Sequence, residues 1–162
     1  MRDAGPTRRT VLAGLGAFAA LGLGATACTS DDSSGRTPAQ RKAEDEIRGR
    51  AQDSAAALLD RYDAVFAAHP ALAGGLRPYA DEIALHLAAF GGTRPTPAPG
   101  APPAEPVPAD APGALADLAR REQQGVDGRL VDLPAAGPDL ARLLASVAAA
   151  QSVHVRQLST AA

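Results

Sequence analysis

Five side chains have the types and spacing to do acid–base or metal chemistry. Glu82 and His86 are four residues apart, and Gln151 and His154 are three apart. Both spacings place the pair on one face of a helix. Glu122 stands alone between them in the chain. A dinuclear metal centre needs about four carboxylates to balance its charge. Only Glu82 and Glu122 are in position to serve, so Glu82, His86, Glu122 and His154 are weak metal candidates and no cofactor is expected. The residue types favour a structural role, with His86 and His154 as neutral imidazoles bonded to Glu122 and Gln151. A buried polar group left unpaired costs about 1–3 kcal/mol, and mutual pairing avoids that. No Gly-rich phosphate loop follows a strand. Ser152 and His154 point to different helix faces, so they are not a nucleophile and its base. No catalytic set is expected.

Cys28 is the other reactive group and the only cysteine among 162 residues. It closes an N-terminal segment built like an export signal. Arg8 and Arg9 precede an uncharged Gly- and Ala-rich stretch from Val11 to Ala27. That stretch is short and weakly apolar for a permanent span. Thr7-Arg8-Arg9-Thr10-Val11-Leu12 resembles the twin-arginine export motif. Ala25-Thr26-Ala27-Cys28 resembles a lipobox, in which Cys28 receives diacylglycerol before cleavage. Residues 1–27 are then a signal peptide, and residues 28–38 a lipidated Cys with a flexible Ser/Asp-rich tether. The partner implied is the lipid bilayer at the extracytoplasmic face of the cell membrane. Release as a secreted protein is the alternative.

Without residues 1–27 the chain carries 13 basic and 17 acidic side chains, a net charge of −4. Nucleic acid is therefore not an expected partner, because binding it needs a basic stripe. Alanine dominates the apolar content and aromatics make up 3%. Such a composition favours helix and gives a thin core.

Helical periodicity predicts four elements that position these residues. The first runs from 38 to 68, with Ile47, Ala51, Ala55, Leu58, Tyr62 and Val65 on its seam. His69-Pro70 breaks it. The second runs from 71 to 90, with Leu72, Leu76, Tyr79, Ile83, His86 and Phe90. Eight prolines between 93 and 112 predict an extended crossover, within a linker over 92–112. The third helix runs from 113 to 133, with Leu115, Leu118, Glu122, Val126, Leu130 and Leu133. The fourth runs from 139 to 158, with Leu140, Leu144, Val147, Gln151, His154 and Leu158. One domain, 39–91 with 113–160, then holds two hairpins joined by one long connection. It is all-α, with the connectivity of a ferritin-like four-helix bundle. A monomer or a homodimer would satisfy the seams.

The passages LLDRYDAVFAAHPAL (58–72), EIALHLAAF (82–90) and LARLLASVAAAQSVHVRQL (140–158) resemble the ferritin-like domains of exported actinobacterial proteins of unknown function. The resemblance implies a fold, not an activity. Ferritin-like metal sites take a Glu from each of two helices and Glu-x-x-His from the other two. Here Gln151 stands in for Glu before His154, Glu82 and His86 are one residue too far apart, and the first helix offers Tyr62. The expected function is a membrane-anchored lipoprotein whose helical bundle binds or scaffolds at the cell envelope. A di-iron or di-manganese oxidative protein and an apolar-ligand bundle are the alternatives.

Overall fold

The computed structural model describes residues 35–96 and 105–162. The signal peptide over 1–27, Arg8, Arg9, Cys28 and most of the expected tether lie outside the described residues. Those that are described are helical, without a strand.

Helix α1 spans Pro38–Ala68. Thr37 Oγ1 accepts from the Gln40 backbone N–H at 3.2 Å, and Gln40 Oε1 accepts from that of Thr37 at 2.8 Å. This reciprocal cap satisfies two amides that have no partner within the helix. Arg36 donates to Glu44 at 3.0 Å. The last residues of the expected tether are thus tied to α1. His69, steered out of the α region by Pro70, ends the helix.

Helix α2 spans Pro70–Ala89 and continues through Pro78. Pro78 and Gly74 both face solvent, so the carbonyl that Pro78 leaves unbonded is open to water. Gly91 stops α2 with φ +78°, a conformation that L side chains rarely adopt. A Cβ at Gly92 would collide with Leu87 and Gln52. Gln52 Nε2 donates to the Phe90 carbonyl at 2.6 Å and locks this end of α2 onto α1.

Helix α3 spans Ala111–Asp132, starting two residues before the expected 113. Asp110 accepts from the Gly113 N–H at 2.7 Å, and Pro112 is harmless in a first turn. A 3-10 turn over Leu133–Ala135 leads to α4, Pro138–Ala161.

Pairings along the helices set their directions. Arg61 meets Asp117 and Arg50 meets Asp132, so α1 and α3 are antiparallel. Helix α3 packs along α4, α1 along α2, and α2 touches α4. One apolar cluster joins Tyr62, Val65, Leu76, Ile83, Leu118 and Leu158. A second joins Ile47, Ala51, Phe90, Leu140, Leu144 and Val147. Among the described residues no helix is long and apolar enough to cross a membrane.

The described ends of the connection from α2 to α3 both lie against α1 and its C-terminal cap. Arg94 pairs with Asp60 and Asp63 at 2.5 and 2.7 Å. Farther on, Arg61 donates to the carbonyls of Glu105 and Pro106 at 2.7 and 3.1 Å. His69 Nε2 donates to Pro108 O at 2.8 Å. Arg61 is itself buried and bonded through Nε to Asp117 at 2.6 Å. Burial opposes ionisation of Asp117, but its bonds from Arg61 and Arg121 hold its carboxyl below the usual range. One guanidinium thus fastens α1, α3 and the crossover together. Replacing it leaves a buried carboxylate and two carbonyls short of donors. Asp117 keeps Arg120 and Arg121, so Arg61→Met should cost about 1–3 kcal/mol in urea unfolding and expose the 105–110 segment to limited proteolysis. Unchanged stability and protection would contradict this role.

Candidate functional site

All four helices contribute to a polar layer where the two apolar clusters meet. At its centre Glu122 is fully buried on α3. Its Oε1 accepts from Tyr62 Oη on α1 at 3.0 Å and from His154 Nδ1 on α4 at 3.2 Å. Its Oε2 accepts from Gln151 Nε2 at 2.6 Å. His154 Nε2 in turn faces Glu82 Oε2 on α2 at 3.0 Å. His86 Nε2 lies 3.7 Å from Glu82 Oε1. The structure therefore brings Glu82, His86, Glu122, Gln151 and His154 together, with Tyr62 and Tyr79 against them.

The protonation of His154 follows from its neighbours. Each ring nitrogen lies within hydrogen-bond distance of a glutamate carboxyl, Nδ1 of Glu122 and Nε2 of Glu82. Burial alone would lower the His154 pKa. The bond to Glu122 and its charge, then Glu82, outweigh burial and raise it. That direction runs against the neutral imidazole expected there. His86 goes the other way. Burial lowers it, Glu82 offsets part of that, and Arg129 and His154 add to the lowering. Of the expected partners Glu122 and Gln151 it bonds neither, and it approaches Glu82 instead. Tyr62 is pushed well above its ordinary value by burial and by the Glu122 charge, so it stays a donor.

Arg129 completes the layer, and its spacing in the sequence did not reveal it. The seam was expected to pass through Leu130, which is 51% exposed, whereas Arg129 is 3% exposed. Gly125, one turn earlier, is the signal. It leaves room for the guanidinium, and a Cβ there would lie 2.8 Å from Arg129 Nη1. Arg61 and Asp117 were also missed, because charged residues beside a seam usually face water.

The donor set does not fit a dinuclear metal centre. Helix α1 supplies a phenol and α4 an amide where carboxylates would be needed. Three donors from within the chain already engage Glu122. Among the described residues no three Cys, His, Asp or Glu side chains are placed to hold a metal ion. No family model, curated protein or solved structure matches the chain.

The two histidines set opposite pH limits. His154, with its raised pKa, adds stability that is complete below about 6.5, the unfolded value, and is lost as pH rises through its folded value. His86, with its lowered pKa, adds stability present above about 6.5 and lost as pH falls through its folded value. Urea unfolding should therefore show stability declining on the alkaline side of about pH 6.5. Glu122→Gln should flatten that decline. An equal alkaline decline in wild type and Glu122→Gln would contradict a protonated His154 held by Glu122.

Proposed function

We propose that this chain is an exported lipoprotein, held at the extracytoplasmic face of a membrane through acylated Cys28. Its mature part is a ferritin-like four-helix bundle with a non-catalytic binding or scaffolding role at the cell envelope. The observation that carries the non-catalytic reading is the closure of the Glu122 network. A general base or a metal ligand needs a free lone pair facing substrate. Both Glu122 oxygens instead accept from Tyr62, Gln151 and His154 within the chain. The ferritin-like reading is supported by two hairpins, α1–α2 and α3–α4, joined by one connection whose described ends lie against α1.

The address rests on the sequence alone. Arg8-Arg9, the uncharged stretch after them and Cys28 stand in the order of a lipoprotein signal. Acyl chains contribute about 0.8 kcal/mol per buried CH₂, so two or more hold a protein firmly to a bilayer.

Expression in a lipoprotein-processing bacterium with a radioactive fatty acid tests the anchor. The wild-type chain should be labelled and fractionate with membranes. Cys28→Ala should be unlabelled and soluble in the medium or envelope space. An unlabelled wild-type chain, or equal label in both, overturns the lipoprotein reading.

A further inference from the structure

A pocket of about 280 Å³ lies between α1 and α3. Small residues create it, since Ala51 and Ser54 on one helix face Gly125 and Gly128 on the other. Its charges do not cancel. Arg50 pairs with Asp132 at 2.6 Å, which neutralises both. Arg129, the remaining charged group in the wall, has no carboxylate within ion-pair distance among the described residues. It is 3% exposed. Its Nη1 donates to Gly125 O at 2.7 Å, its guanidinium carbon lies 5.7 Å from the centre of the Phe90 ring, and its Nε has no partner.

A buried charge without a counter-ion costs several kcal/mol. Burial accordingly lowers the Arg129 pKa, with only partial compensation from the Glu122 charge. The guanidinium edge is a planar fork of donors that matches a carboxylate in two parallel bonds. The rest of the wall is mostly apolar, with the Ser54 hydroxyl its one neutral polar side chain. One uncancelled positive charge calls for one negative charge. A phosphate dianion would need more donors than the wall holds.

We propose that this pocket binds a small organic monocarboxylate, its head on Arg129 and its apolar tail between the Ala51 and Gly128 faces. At about 30 Å³ per water-sized group, the volume admits a molecule of roughly ten non-hydrogen atoms. The pocket lies within residues 50–132, so it goes beyond the anchoring proposal and stands or falls apart from Cys28.

Octanoate is a probe of that size and charge. Titrated calorimetrically into the full chain, it should bind saturably at one site and raise the melting temperature. Arg129→Met should weaken it at least tenfold. Octan-1-ol, which lacks the charge, should bind at least tenfold more weakly than octanoate. Gly128→Leu offers a variant that keeps Arg129. Gly128 lines the pocket and a Cβ there meets nothing within 4 Å, so the wall has room for a larger side chain without displacing the backbone. It should melt no lower than wild type and bind no octanoate. Absence of saturable binding at millimolar octanoate would overturn the site. So would equal affinity in Arg129→Met or in a folded Gly128→Leu. In either case Arg129 is a structural cation satisfied inside the fold.

Discussion

A carboxylate with no exposure to solvent organises this protein. Glu122 cannot keep its charge in an apolar interior unless donors surround it. Tyr62 from α1, with Gln151 and His154 from α4, meet that need. Each bond works only at one rotation and one height of its helix. The layer therefore sets the register of α1, α3 and α4, and His154 extends it to Glu82 on α2. Apolar packing alone would specify register weakly here. Alanine supplies much of the core, and alanine faces slide past one another with little change in buried area. Retaining buried polar groups for such specificity is a role attested in helical assemblies.

Charge accounting explains the composition of the layer. Glu122 and Glu82 both face His154, a group carried by the chain itself. A bundle built around metal ions holds an excess of carboxylates instead. The Tyr62 phenol and the Gln151 amide replace two of those carboxylates with neutral donors. Arg129, on the α1–α3 face, lies too far from any described carboxylate for an ion pair. A second buried cation, Arg61, is fully used, since its bonds to Asp117, Glu105 and Pro106 hold the returning crossover.

Much of the helical frame was legible in the sequence. Every α1 seam residue expected inside, from Ile47 to Val65, is buried, as are Glu122, Gln151 and His154. These positions follow from a period that survives any tertiary detail. The break at His69-Pro70 has an equally local cause. What escaped depends on distant partners. Arg129 displaces Leu130 from the seam because Gly125 leaves space that no hydropathy pattern records. Arg61 and Asp117 read as surface charges because their match lies 56 residues apart. The protonation of His154 requires knowing that Glu82 and Glu122 flank it from two other helices. Asp110 moved the start of α3 because a cap is decided by one side-chain bond, not by periodicity.

Thermal unfolding of the full chain with and without iron(II) or manganese(II) is the most direct test of a layer satisfied by the chain's own donors. A ligand of the native state at a hundredfold excess over its Kd stabilises by about 2.7 kcal/mol, which raises the melting temperature by several degrees. The closed set of donors around Glu122 predicts the same melting temperature in chelator and in either metal. A rise with two equivalents of metal per chain, lost in Glu122→Gln, would contradict it.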